Sequence, residues 1–117
     1  MKKILVVDDD LDISDVVKTI LTMHGYEVLT HDRGCDAVDL VKKYDPDLVL
    51  LDIHLPDKLG TEICKELKII SNLPPVLLFS ADAKEGDAFA ICKADGFIRK
   101  PFDISYFLEV IKLHTSD

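Results

Sequence analysis

The stretch Pro46-Asp47-Leu48-Val49-Leu50-Leu51-Asp52 decides how the rest of the chain is interpreted. Its run of consecutive apolar residues, bounded by Pro46 and later by Pro56, predicts a short strand over Asp47–Asp52 that is buried on both faces. The run ends in a carboxylate, Asp52. Ligands of open parallel sheets bind beyond the carboxyl ends of the strands, so Asp52 is a candidate site residue. Aspartate is also common in turns, and this strand alone does not separate the two interpretations.

The composition excludes several classes of protein. The 117 residues fit one domain, and no apolar run approaches the ~20 residues of a membrane span. A formal net charge of −8 repels phosphate backbones, so we expect no direct contact with nucleic acid and none with a membrane. The N-terminus lacks the pattern of a signal peptide, and we expect a cytoplasmic protein.

The cysteines give no sign of a metal site or a disulfide framework. Cys35, Cys64 and Cys92 are odd in number, widely spaced and without a C-x-x-C pair. All three fall in segments that we predict as helices. We therefore expect them to be small buried thiols.

Predicted strands and helices alternate along the whole chain. This pattern indicates a single doubly wound (βα)5 domain over residues 1–117, because each parallel crossover needs a helix. The strands are predicted at Lys3–Val7, Tyr26–His31, Asp47–Asp52, Val76–Phe79 (ending at Ser80) and Gly96–Arg99. The helices are predicted from a cap at Asp10 or Asp12 to Gly25, then at Gly34–Tyr44, Thr61–Ile70, Lys84–Lys93 and Ile104–Leu113, the last with Ile104, Phe107, Leu108 and Ile111 inward.

Polar residues follow four of these strands: Asp8 and Asp9, Asp52, Ser80 and Lys100. If the five parallel strands take the flavodoxin-like order 2-1-3-4-5, an order borrowed from known folds, the first and third strands are neighbours and their acids converge. Three converging carboxylates repel one another and require a neutralising charge. Because the set offers only oxygen ligands, it suits Mg²⁺, with Mn²⁺ as the alternative ion.

Phosphoryl transfer to a carboxylate is the chemistry that suits this set. Asp52 would be the nucleophile and would become an aspartyl phosphate. The cation and Lys100 would neutralise charge on the transferring group, and Ser80 would donate a hydrogen bond to it. No general base is needed, because a carboxylate is ordinarily ionised near neutral pH.

Four motifs occur in order along the chain: Ile4-Leu5-Val6-Val7-Asp8-Asp9-Asp10, Leu50-Leu51-Asp52-Ile53-His54-Leu55-Pro56, Leu78-Phe79-Ser80-Ala81 and Lys100-Pro101-Phe102. Together they resemble the receiver domain of bacterial two-component response regulators, of the chemotaxis-regulator type. The resemblance covers the whole chain. It differs from the usual family pattern in the loop Pro56–Gly60, where we expect the difference to be harmless.

The resemblance implies a role for each matching residue. Asp52 matches the phosphoacceptor, Asp9 a direct Mg²⁺ ligand, and Asp8 an acid that acts on the metal through water. The backbone carbonyl of His54, rather than its imidazole, matches a further metal ligand. The remaining matches are Ser80 and Phe97 with the switch pair, Phe97 lacking the hydroxyl of the commoner Tyr, and Lys100 with the lysine that pairs with the phosphoryl group.

The function that the resemblance implies is a phosphorylation-controlled switch. A sensor histidine kinase or a histidine phosphotransfer protein would phosphorylate Asp52, and the altered surface would act on a downstream output protein or domain. The protein would promote its own phosphorylation and dephosphorylation without being a conventional enzyme.

Two other classes of function use the same features. One is a phosphorylation-independent binding module on this fold, which the complete set of acids, serine and lysine argues against. The other is a hydrolase with an aspartyl-phosphate intermediate, which would use Asp8 and Asp10 at their two-residue spacing. Such enzymes add a cap domain, for which 117 residues leave no room.

Overall fold

The computed structural model describes residues 1–70, 72–80, 94–100 and 102–115, with only the backbone of Ser80. Within these ranges the chain forms five strands and four α-helices. The strands are β1 (Lys3–Val7), β2 (Glu27–His31), β3 (Leu48–Asp52), β4 (Val76–Ser80) and β5 (Gly96–Arg99). The helices are α1 (Leu11–Met23), α2 (Ala37–Tyr44), α3 (Gly60–Leu67) and α4 (Ile104–Thr115). The helix predicted at Lys84–Lys93 and the thiol of Cys92 lie outside the described residues.

The strands form one parallel sheet in the order β2-β1-β3-β4-β5, which confirms the predicted doubly wound fold. The strand that contains the opening stretch, β3, lies at the centre and is buried at all five positions. Val7 of β1 is paired with Leu51 of β3, and one residue further along are Asp8 and Asp52. The register therefore brings these two acids to the same edge of the sheet.

Each face of the sheet is covered by two helices, because alternate strand residues point to opposite faces. On one face, residues such as Leu5, Val49 and Leu78 pack with buried side chains of α2 and α3. On the other face, residues such as Leu50 and Phe79 pack with α1 and α4. The two apolar cores hold the five strands in register, and so fix the positions of the loops at the carboxyl edge.

Two predicted helix boundaries are wrong by part of a turn. The helix predicted at Thr61–Ile70 ends at Leu67, because the amides of Ile69 and Ile70 donate to carbonyls three residues back and tighten the last turn. The helix predicted at Gly34–Tyr44 begins as a 3₁₀ turn over Gly34–Asp36 and becomes α-helical at Ala37.

Two predictions of burial are also wrong. Cys35 is exposed, because the buried residue of its 3₁₀ turn is Gly34, whereas Cys64 is buried as expected. Ile104 is 54% exposed, because it is the first residue of α4 and borders a surface groove beside Ile13. Phe107 and Ile111, further along α4, are fully buried as predicted, and Leu108 is partly buried.

The caps of α1 explain where it begins and ends. Of the two predicted N-caps, Asp10 is the one used, since its Oδ1 accepts hydrogen bonds from the amides of Asp12 at 3.0 Å and Ile13 at 3.3 Å. Gly25 follows the helix with a φ of 88°, a conformation that favours glycine. None of the helices in the described ranges combines the length and the apolar character that a membrane crossing requires.

Gly60→Ala is expected to destabilise the protein even though alanine is the better helix former. A Cβ at Gly60 would collide with the carbonyl oxygen of Asp52 and the Cα of Ile53, which are backbone atoms and cannot rotate away. We expect a loss of about 1–3 kcal/mol in the free energy of unfolding, measured with urea. Glu62→Ala, at an exposed position in the same helical turn, should change it by less than about 0.5 kcal/mol. Equal stability of Gly60→Ala and the unaltered protein would show that the close approach is absent.

Candidate functional site

Three carboxylates meet where β1 and β3 end. One oxygen from each of Asp8, Asp9 and Asp52 lies within 4.8 Å of the other two. Asp8 is fully buried and Asp52 is 7% exposed, whereas Asp9 is open to solvent. The cluster therefore has a buried floor and an open side that a ligand can reach.

Lys100, which follows β5, supplies positive charge to the cluster. Its Nζ lies 2.8 Å from Asp8 Oδ2 and 3.6 Å from Asp52 Oδ2, and its side chain is largely buried. The same ammonium lies 4.3 Å from the ring centroid of Phe79, a cation–π contact that the sequence analysis did not anticipate. The aromatic face of Phe79 supports the ammonium from the side opposite to bulk water, where a carbonyl or water ligand would otherwise be needed.

The charges at the site are unbalanced, and the effect is seen at Asp52. Burial raises the pKa of Asp52 to about 6, and the neighbouring Asp8 adds to the increase. Lys100 opposes the increase, as does the amide of His54, which donates to Asp52 Oδ1 at 3.2 Å. Asp52 is therefore ionised at neutral pH at a free-energy cost that an additional cation would reduce.

Asp8 is held in place by the backbone around it. Its Oδ1 accepts a hydrogen bond from the amide of Asp10 at 2.9 Å, and its own amide donates to the carbonyl of His31 at 3.0 Å. The carboxylate of Asp10 is turned to the start of α1, where it caps the helix. Because a hydrolase of the class considered above would need Asp10 beside its nucleophile, this arrangement does not favour that alternative.

The β3–α3 loop, residues 53–59, carries His54 next to the cluster. His54 is exposed, and it forms an antiparallel bridge with Leu59 that closes the loop on itself. The amide of Gly60 completes this closure by donating to the carbonyl of Ile53 at 2.7 Å. The loop is thus ordered by its own backbone, and the function of the His54 carbonyl as a metal ligand stays a prediction.

The two predicted switch residues lie on adjacent strands. Ser80 is the last residue of β4 and is in register with Arg99 of β5, so its backbone reaches the same edge of the sheet as Asp52. Phe97, in β5, is partly buried and packs against the core that α2 and α3 cover. The switch functions of Ser80 and Phe97 remain predictions.

The residues of the cluster fit a hard divalent cation. They offer carboxylate oxygens only, within the reach of one ion, and they carry more negative charge than Lys100 neutralises. No second group of potential metal ligands occurs among the residues that the structure describes. His24 and His114 instead contact carbonyl oxygens of their own helices, and His31 contacts Asp36.

Comparison with known proteins identifies a family. A family model described as the response regulator receiver domain matches residues 4–112. The BeF3-activated receiver domain of RstA from Klebsiella pneumoniae is 28% identical, with a TM-score of 0.92 over 99% of this chain and 100% of that one. A CheY-like receiver domain protein from Methanospirillum hungatei is 31% identical, with a TM-score of 0.87 over 97% of this chain and 92% of that one.

A third solved structure shares the fold. It is the receiver domain of sensor histidine kinase PA1611 from Pseudomonas aeruginosa, which has a magnesium ion coordinated in its active site cleft. It is 23% identical, with a TM-score of 0.90 over 99% of this chain and 98% of that one.

Asp52→Asn is expected to stabilise the protein in buffer that contains a chelator. Folding raises the pKa of Asp52 from 3.8 to about 6, so the stability that its neutral form provides is complete below 3.8 and is lost as the pH rises through 6. The free energy of unfolding of the variant should exceed that of the unaltered protein by about 1–3 kcal/mol at neutral pH. The difference should vanish toward acid pH.

Urea unfolding across this pH range measures the effect, with Glu109→Gln on the exposed surface of α4 as the control. The control should follow the unaltered protein at every pH. A less stable Asp52→Asn at neutral pH would contradict the charge imbalance inferred for the site.

Proposed function

Because the chain belongs to the response regulator receiver domain family of two-component signalling, we propose that Asp52 accepts a phosphoryl group from a phosphohistidine. The observation that supports this most directly is the nearly buried Asp52 carboxylate, which faces the Lys100 ammonium at 3.6 Å beside two further acids. The proposal treats residues 1–117 as one such domain. It includes a cytoplasmic location, where ATP-dependent kinases form the phosphohistidine.

Asp8, Asp9 and Asp52, with the backbone carbonyl of His54, would hold Mg²⁺ or Mn²⁺. When bound, the ion supplies positive charge to the oxygens of the transferring phosphoryl group. The remaining chemistry belongs to the chain. The ionised carboxylate of Asp52 attacks phosphorus while the phosphorus–nitrogen bond to the donor imidazole breaks, and the electron pair leaves with that nitrogen.

Lys100 would pair with one phosphoryl oxygen, and the hydroxyl of Ser80 would donate a hydrogen bond to another. Lys100 is the better documented of the two, since it already faces both Asp8 and Asp52. The pair that it forms with Asp8 at 2.8 Å holds the ammonium at the site before a donor arrives. No proton has to be removed from the nucleophile, so no general base is required.

Phosphorylation would then change the binding surface. A phosphoryl group adds about 1.5 to 2 negative charges at the edge of the sheet, and charge of this size reorders nearby loops. Ser80 would move toward it, and Phe97, on the neighbouring strand, would turn inward. The partners proposed are a sensor histidine kinase or histidine phosphotransfer protein as donor and a downstream output protein or domain.

The proposal predicts one phosphoryl adduct on the intact protein after incubation with acetyl phosphate and Mg²⁺, measured by mass spectrometry. Asp52→Asn should carry none, because it lacks the nucleophile. Chelation of Mg²⁺ should slow adduct formation about a hundredfold, since charge on the transferring group is then left to Lys100 alone.

Glu109→Gln, distant from the site in sequence and exposed on α4, should be labelled at the normal rate. Labelling of Asp52→Asn at the normal rate would defeat the assignment of the phosphoacceptor. Because acetyl phosphate can be a poor donor, a histidine kinase that labels the unaltered protein but not Asp52→Asn would equally support it.

A further inference from the structure

An exposed acid in the β3–α3 loop connects this loop to a distant part of the chain. Asp57 Oδ1 accepts a hydrogen bond from the amide of Gly34 at 2.9 Å, and Asp57 Oδ2 accepts one from the amide of Cys35 at 2.8 Å. These amides begin the 3₁₀ turn before α2, where backbone donors have no partner within the turn itself. No side chain of the turn's own N-cap, Arg33, satisfies them. Asp57 therefore caps a helical segment from 22 residues away in sequence.

The packing beneath the loop places Asp57 at this position. Leu55 is buried, and a side chain at Gly34 would collide with those of Leu55 and Ile63. The absence of a side chain at Gly34 thus lets the loop and the 3₁₀ turn approach closely. Within the loop, the bridge between His54 and Leu59 links the position of Asp57 to that of His54.

The two hydrogen bonds persist under ordinary conditions. The amide of Gly34, followed by contacts from Cys35, lowers the pKa of Asp57 to about 2. Asp57 is consequently an ionised acceptor throughout the neutral range, and hydrogen bonds to an ionised acceptor are about twice as strong as those between neutral groups. The connection does not loosen as Asp52 titrates.

We propose that Asp57 is a positioning residue for the metal site. By fixing the β3–α3 loop to the start of the 3₁₀ turn, it holds the backbone carbonyl of His54 in place beside Asp8, Asp9 and Asp52. A carbonyl ligand has no side-chain rotamer of its own, so its position depends on the conformation of the loop. A loop that must first be ordered lowers the affinity for the ion by the entropy lost. This inference rests on the proposed function, since it assigns Asp57 to the Mg²⁺ site of that function.

The test compares Mg²⁺ affinity in four proteins, followed by the amide NMR spectrum. Asp57→Ala, which removes both acceptors, should weaken binding about tenfold. Asp57→Asn keeps one acceptor oxygen and should weaken it about threefold, a partial rescue. The matched control is Asp36→Ala, because Asp36 lies in the same 3₁₀ turn but pairs with His31 at 2.9 Å and not with the loop. Its Mg²⁺ affinity should equal that of the unaltered protein.

Two further readouts separate positioning from a general loss of structure. Without metal, Asp57→Ala should accelerate hydrogen exchange at the amides of Gly34, Cys35 and Gly60, while amides of β1 and β3 keep their protection. With acetyl phosphate, the Mg²⁺ concentration that gives half the maximal labelling rate should rise about tenfold, whereas the rate at saturating Mg²⁺ is unchanged.

Each outcome is decisive. Faster exchange at these amides with unchanged Mg²⁺ affinity would make Asp57 a purely structural residue and overturn the inference. A lower rate at saturating Mg²⁺ would also overturn it, because the defect would then lie in the transfer step. If Asp57→Ala does not fold, Asp57→Asn against Asp36→Ala decides the matter in the same way. Failure of the unaltered protein to bind Mg²⁺ would instead be a failure of the proposed function, and the inference would fall with it.

Discussion

The repulsion among carboxylates at the carboxyl edge of the sheet is the interaction on which the site depends. Asp8 and Asp52 lie side by side because β1 and β3 are adjacent and in register, and each is almost fully buried. Lys100 neutralises part of this charge, and the ring of Phe79 supports its ammonium. The two apolar cores supply the stability that lets the sheet keep an arrangement of charge that is unfavourable by itself.

This arrangement connects the fold to the proposed signalling. A site with excess negative charge attracts a divalent cation, and with it a phosphoryl group, to the open side where Asp9 meets solvent. The raised pKa of Asp52 has the same cause as the proposed need for the cation, namely burial beside Asp8. The rigid β3–α3 loop and its contact through Asp57 would then keep the site ready at little entropic cost.

Much of the fold was predictable because hydrophobic periodicity is strong: alternation of strands and helices, the central buried strand and the sheet order all agree with the structure. Details set by single hydrogen bonds were not. The early end of α3 at Leu67 depends on its last amides, and the choice of Asp10 over Asp12 as a cap depends on which side chain reaches the free amides. At the site, the meeting of the acids followed from the topology. The contact of Asp57 with Gly34 joins two loops that are far apart in sequence, and nothing in either loop marks it.

The most direct test of the charge imbalance is the thermal unfolding of the protein as Mg²⁺ is added at neutral pH. The account predicts that the midpoint temperature rises with millimolar Mg²⁺, corresponding to about 1–3 kcal/mol of stabilisation by a ligand that binds only the folded state. It also predicts that Asp52→Asn, starting from a more stable metal-free form, gains much less. An unchanged midpoint for the unaltered protein, or an equal increase in both proteins, would contradict the account.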